Sequence, residues 1–160
     1  HYSHKIDGVF MRDTRPFKWL CQKATAEISN THKQKYSSKI FISREDAQTR
    51  RITNKKETIN KLNDLGFEKY VLSNLSYEEQ VKLFSQAEFI VGAHGSGLIN
   101  GIYSDDVNII EMYADRYTAA IYEIFQSIGH EYGCLSCTSR GKDLEVDVDQ
   151  LANLIKKMGT

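Results

Sequence analysis

Phe89-Ile-Val-Gly-Ala-His-Gly-Ser-Gly-Leu-Ile-Asn100 is an apolar run that breaks into a glycine-rich turn and then resumes. Phe89, Ile90 and Val91 read as a strand buried on both faces, since parallel strands under covering helices are short, apolar runs. Gly92, Gly95 and Gly97 let the backbone turn sharply and approach a ligand closely. Leu98-Ile99 then open a helix, whose first N–H groups lack intrahelical partners and favour an anion. Strand, glycine turn and helix N-terminus in this order suggest a phosphate site. The alternative on this segment alone is a glycine-rich connection that binds nothing.

The pattern around this stretch alternates. Phe17, Leu20, Ala24 and Ile28 share a helical stripe, and Lys39-Ile-Phe-Ile-Ser43 is a short strand. A helix is expected over Asn54 to Leu65, with Ile59 and Leu62 inward and Gly66 as its stop. Tyr70-Val-Leu72 is the next strand. Ser76-Tyr-Glu-Glu79 fits a capping box for a helix carrying Tyr77, Val81 and Phe84 on one face. After the glycine turn come a strand at Asn108-Ile-Ile-Glu-Met112 and a helix through Ile121, Phe125 and Ile128, closed by Gly129. Glu131 to Cys137 reads as a last strand. Val148, Leu151, Leu154, Ile155 and Met158 line a terminal helix capped by Asp147. Strands alternating with helices imply right-handed βαβ crossovers and one α/β domain, Rossmann-like in three layers, with a parallel sheet. Residues 1–160 form that single domain, with 1–14 loosely specified.

Composition narrows the function classes. The 160 residues carry 21 basic and 21 acidic side chains, which argues against a general nucleic-acid or anionic-membrane surface. No segment has the length of a membrane span. The chain starts at His1, and the expectation is a fragment of something longer. Cys134-Leu-Ser-Cys137 has no second CxxC or histidine pair at zinc spacing, and Cys21 is remote, so the thiols read as structural.

Open sheets of this kind bind ligands at the carboxyl ends of their strands. Ser43-Arg-Glu-Asp-Ala-Gln-Thr-Arg-Arg51 follows the first strand and holds Arg44, Arg50 and Arg51. Guanidinium forks pair with phosphate oxygens in two-pronged, charge-assisted bonds, so two of these could grip a diphosphate over the glycine turn. Otherwise they pair with Glu45 and Asp46 on a solvated loop. His94 follows the central strand as a ligand contact or a packed, hydrogen-bonded residue. Ser96 does not sit in a nucleophile elbow, which needs glycine where His94 and Leu98 stand. A dinucleotide fingerprint fails because its third glycine would be residue 100, which is Asn100. Glu111 interrupts an apolar strand near its end, where a carboxylate accepts ribose hydroxyls or forms a buried ion pair. No cluster at ligand spacing points to a metal.

Taken together, SREDAQTRR (43–51), LSYEEQVKLFSQAEFIVGAHGSGLIN (75–100) and NIIEMY (108–113) resemble the carboxyl-terminal half of family 61 glycosyltransferases. The match runs from Lys39 to about Tyr113 in order and spacing. Ser96 replaces the family's usual alanine, and Asp106-Val107 replaces a proline-glycine in the next loop. The resemblance implies a GT-B architecture of two facing Rossmann-like domains, this one binding a nucleotide-diphosphate sugar. It implies inverting transfer to a glycan or protein acceptor without a required metal, as in capsular-polysaccharide biosynthesis. By position, Arg44 and Arg50 or Arg51 hold the diphosphate, His94, Gly95, Ser96 and Gly97 cradle it, and Glu111 lies near the nucleoside. The catalytic base is expected mostly in a missing amino-terminal domain, with His94 the candidate within this chain. By itself the fragment is then expected to be inactive. The competing reading is a non-catalytic Rossmann-like module that binds a nucleotide or a protein partner.

Overall fold

The structure is a computed structural model and describes residues 19, 21–26, 36–115 and 118–159. Residues 1–14 lie outside this set, as do Phe17, Leu20 and Ile28; Ala24 falls in a helical segment, 21–26.

Five parallel strands form one sheet: β1 (Lys39–Ser43), β2 (Glu68–Val71), β3 (Phe89–Ala93), β4 (Asn108–Tyr113) and β5 (Glu131–Ser136). Their spatial order is β2-β1-β3-β4-β5. The chain moves outward from β1 to β2, then crosses back to place β3 on the other side of β1. That reversal opens a crevice at the carboxyl ends of β1 and β3, where doubly wound sheets hold ligands. The two stretches singled out in the sequence, 43–51 and 92–97, leave the sheet at these two ends.

Both faces of the sheet are covered, which is why β1, β3 and β4 are apolar almost throughout. Helices α1 (Lys55–Asp64) and α4 (Val148–Met158) cover one face. Leu62, Leu151 and Ile155 pack there on Phe41, Val91, Ile110 and Met112. The other face lies under α2 (Tyr77–Ser85), a 3₁₀ segment (Ser96–Tyr103) and α3 (Ala120–Ile128). Phe84, Leu98, Ile121 and Phe125 meet Ile40, Ile42, Ile90 and Ile109 there. Among the described residues no helix is long and apolar enough to cross a membrane.

Local chemistry sets the helix ends. Ser76 and Glu79 form the capping box: the Glu79 N–H donates to Ser76 Oγ and the Ser76 N–H to the Glu79 carboxylate. Asp147 accepts from the N–H groups of Asp149 and Gln150. Gly129 closes α3 in the left-handed region (φ 89°), and Gly66 follows α1 likewise (φ 84°).

Four details differ from the sequence expectations. β2 begins at Glu68 and ends at Val71, with Leu72–Asn74 turning as 3₁₀. Tyr77 starts the face of Val81 and Phe84 but is exposed, its hydroxyl 3.2 Å from that of Tyr103. The glycine turn leads into a 3₁₀ helix because the buried positions recur every third residue: Leu98, Gly101 and Ser104. Last, β5 ends at Ser136 and a separate antiparallel hairpin follows, β6 (Thr138–Arg140) with β7 (Asp143–Glu145). Its two-residue loop places Gly141 at φ 68°.

Candidate functional site

The crevice is built from the β1 and β3 carboxyl ends and the hairpin. Ser43 closes β1 as a buried residue, and Arg44 is the first to leave the sheet. Its guanidinium turns across the glycine turn, where a Cβ added to Gly95 would overlap it. Gly95 is therefore bare so that a cation can cross it. Gly92 has a different duty: a Cβ there would meet Leu98 Cδ2 at 2.7 Å and the Ile42 carbonyl at 3.4 Å, so its absence lets the 3₁₀ segment dock on the strand.

Arg44 feels the site's charge. Burial first, and then the nearby Arg50 charge, pull its pKa below the ordinary arginine value, with Asp46 opposing. An arginine stays protonated at any physiological pH. Two like charges thus face the same space, and an anion between them relieves both the desolvation and the repulsion.

Arg50 has a left-handed backbone, φ 60°, uncommon for a side chain other than glycine. Its N–H donates to the Lys142 carbonyl at 2.6 Å, which holds the conformation. Arg50 has no carboxylate partner among the described residues. Arg51 is different. Asp143 accepts from the Arg51 N–H at 3.0 Å, and from its Nε at 3.1 Å and Nη2 at 2.8 Å. These bonds hold the Asp143 carboxyl below the usual aspartate range. Glu45 pairs with Lys55 and Lys69 rather than with an arginine. Of the three arginines, Arg44 and Arg50 border the crevice without a carboxylate partner among the described residues, Arg44 Nε donating to the Thr49 carbonyl at 3.4 Å, and Arg51 ties the loop down.

His94 donates its backbone N–H to the Met112 carbonyl at 2.8 Å. Its Nδ1 meets the Glu111 carboxylate, which also accepts from the Tyr132 hydroxyl. Glu111 is 1% exposed, so this carboxylate is satisfied from inside the protein on both oxygens. With Nδ1 committed, Nε2 is the ring nitrogen left for the crevice. A direct ribose contact by Glu111, expected from the sequence, would have to displace His94 or Tyr132.

These groups border two hollows. One, of about 570 Å³, is lined by Arg50, His94, Tyr113, Asp115, Lys142 and their neighbours; the other, of about 330 Å³, lies among Arg44, Arg50, Arg51 and Lys55, with Glu45 and Asp143 on its lining already paired to Lys55 and Arg51. Both fall in the usual range for small-molecule sites, roughly 300–1,000 Å³. A larger hollow at the amino ends of the strands carries Glu88, Asp105 and Asp106 and no cation. A fourth, beside segment 21–26, also lacks lysine and arginine. An anion would therefore choose the carboxyl ends. Among the described residues no three potential metal ligands cluster.

Ser96 and Gly97 open the 3₁₀ segment, Ser96 exposed and Gly97 half-buried. The hairpin and Tyr132 were not singled out from sequence, although Arg140-Gly141-Lys142-Asp143 carries the Gly-X signal of a two-residue hairpin loop. Nothing in the sequence marks Tyr132 as a partner of Glu111, because that pairing depends on how β5 lies against β4.

No curated protein matches the chain significantly. The Glycosyltransferase 61 family model matches residues 8–110, well over half of the 160, and includes the arginine loop, the glycine turn and the start of β4. The chain belongs to glycosyltransferase family 61.

Proposed function

We propose that this domain binds the nucleotide-diphosphate sugar donor of a glycosyltransferase, with the diphosphate on Arg44, Arg50 and the turn from His94 to Gly97. One observation carries the reading: in a family 61 chain, two guanidinium groups without carboxylate partners meet a glycine turn at the β1/β3 reversal.

The chemistry follows from the leaving group. An acceptor hydroxyl oxygen attacks the anomeric carbon from the side opposite the diphosphate, inverting that centre. The bond from the carbon to the phosphate oxygen breaks, and its electron pair stays on the diphosphate. Preorganised cations beside those oxygens lower the barrier most where charge develops. Arg44 and Arg50 supply that charge here, so no metal is needed. His94 Nε2 adds a donor or acceptor at the same end, held in direction by Glu111. The proton leaving the acceptor goes to a base on a facing domain of a GT-B pair, and the acceptor is a glycan or protein, as in polysaccharide capsules.

The test is calorimetry of UDP, GDP and CDP, and of their sugar conjugates, against this chain, followed by a transfer assay. Binding of one diphosphate without transfer by residues 1–160 is expected. Transfer by these residues alone would overturn the facing-domain account. No binding of any diphosphate would overturn the donor site and favour a module that meets another partner.

A further inference from the structure

The hairpin β6–β7 lies beyond the segment that the family model matches, yet it forms a wall of the crevice. It is fastened to the arginine loop along its length. The Arg50 N–H donates to the Lys142 carbonyl, the Leu144 N–H to the Arg51 carbonyl (2.9 Å), and the Thr53 N–H to the Leu144 carbonyl (2.9 Å). Asn54 then exchanges a pair of bonds with the Val146 backbone, at 2.8 and 2.9 Å. The loop thus runs beside β7, joined to it by a single parallel bridge between Ile52 and Leu144. The pair between Arg51 and Asp143 locks the junction at the position next to Arg50.

This fastening puts Lys142 at the hairpin tip, on the lining of the hollow that also takes Arg50 and His94. Lys142 has no carboxylate partner among the described residues. The two carboxylates on that lining are committed elsewhere: Asp143 to Arg51, and Asp115 as acceptor of the Ser139 hydroxyl at 2.5 Å. An exposed lysine alone would mean little. Here its backbone carbonyl fixes the left-handed Arg50, so ammonium and guanidinium are mounted on one rigid junction above the same cavity.

We propose that Lys142 is a third cationic contact for the donor diphosphate, delivered by a hairpin outside the matched family segment and registered to Arg50 through the Arg51–Asp143 pair. This rests on the donor-site reading above. Two guanidinium groups balance the charge of the donor's diphosphate, but the leaving nucleoside diphosphate gains a further negative charge when the bond to the sugar breaks. A compact ammonium on a flexible stem suits those outer oxygens. Arg51 and Asp143 are positioning residues in this scheme, since neither faces the cavity as a free charge.

The experiment measures inorganic pyrophosphate, UDP, GDP and uncharged uridine against the unaltered chain, Lys142→Met and Lys142→Arg. Methionine keeps most of the stem and the backbone carbonyl that holds Arg50, so a loss reports the ammonium alone. Lys142→Met is expected to weaken pyrophosphate and the bound nucleoside diphosphate about five- to twentyfold, as for one charge-assisted contact. Lys142→Arg should restore affinity to within about threefold, and uridine should respond to neither change. An unaltered chain that binds diphosphates while Lys142→Met binds them equally well would overturn this proposal and leave the donor site intact. An unaltered chain that binds no diphosphate overturns the donor site itself. Lys142→Met weakening uridine as much as pyrophosphate also overturns the proposal, because the effect would then not be on charge.

Discussion

Glu111 on β4 and His94, the first residue past the end of β3, meet carboxylate to ring, with the Tyr132 hydroxyl closing the other side of the carboxylate. A buried carboxylate with two donors stabilises only while both remain, since losing one partner leaves a desolvated charge. Glu111→Gln keeps the size and removes the charge. We expect a lower melting temperature, by about 1–3 kcal/mol of stability, and roughly tenfold weaker binding of a nucleoside diphosphate. The loss should be equal for the ribo- and 2′-deoxy-ligands, because the carboxylate acts through His94. A smaller loss for the deoxy ligand, read in a two-protein, two-ligand cycle, would return Glu111 to the ribose.

The arginines separate into two kinds. Arg44→Ala and Arg50→Ala each remove a contact worth about 1.5–3 kcal/mol and should weaken a nucleoside diphosphate roughly ten- to a hundredfold. The free nucleoside should barely notice. Arg51→Ala and Asp143→Ala act on the tether, so they should resemble one another and cost less affinity than loss of Arg50. Calorimetry across the four variants decides this, and an Arg51→Ala loss as large as that of Arg44→Ala would make Arg51 a direct contact.

Gly95→Ala is expected to behave like a weaker Arg44→Ala. The added methyl occupies the place of the guanidinium, which is the far end of a flexible side chain and can swing away without unfolding anything. Melting should stay near the original while diphosphate affinity falls several-fold. The double variant should be no worse than Arg44→Ala alone, a non-additivity that a thermodynamic cycle measures.

The thiols differ in reactivity. Cys134 is exposed, whereas Cys137 is partly buried and its pKa is pushed up to about 11 by burial and then by the Asp147 charge. The buried Cys21 thiol is also pushed up, by desolvation. Only the thiolate alkylates. Iodoacetamide at pH 8 should label Cys134 first and leave Cys21 and Cys137 largely unmodified in the folded protein, as peptide mass spectrometry would read. Equal labelling of Cys134 and Cys137 would contradict the burial of the latter.

The legible parts of the chain were those where local chemistry and burial agree. Phe89-Ile-Val91 and Asn108-Ile-Ile110 announced central strands because both faces are covered, and Ser76 and Asp147 announced helix starts because their side chains cap them. The placement of 43–51 and 92–97 at one end of the sheet followed from the alternation of strands and helices, which makes the strands parallel and sets their carboxyl ends together. What stayed hidden depended on distant partners. Arg50 and Arg51 are neighbours in sequence, and only Asp143, 92 residues beyond Arg51, tells them apart. Thr138-Ser-Arg140 is short and polar, with no apolar alternation to mark a strand, so its hairpin is read only from the Gly-Lys loop and its long-range bonds. The 3₁₀ segment after the turn follows a three-residue burial rhythm that its apolar composition does not reveal.

The tether between residues 50–54 and 142–146 also sets when the crevice can exist during synthesis. A ribosome adds about 5–20 residues per second, and amino-terminal segments emerge first. Arg44, Arg50 and the glycine turn are all made before the hairpin that holds Arg50 in its left-handed conformation. Closing a loop of this length is a late entropic step, so the nascent chain carries its cations untethered until β7 arrives. A newly made domain would acquire donor affinity only with its final third, and a translation product halted before Asp143 would bind diphosphate poorly even with every matched motif present.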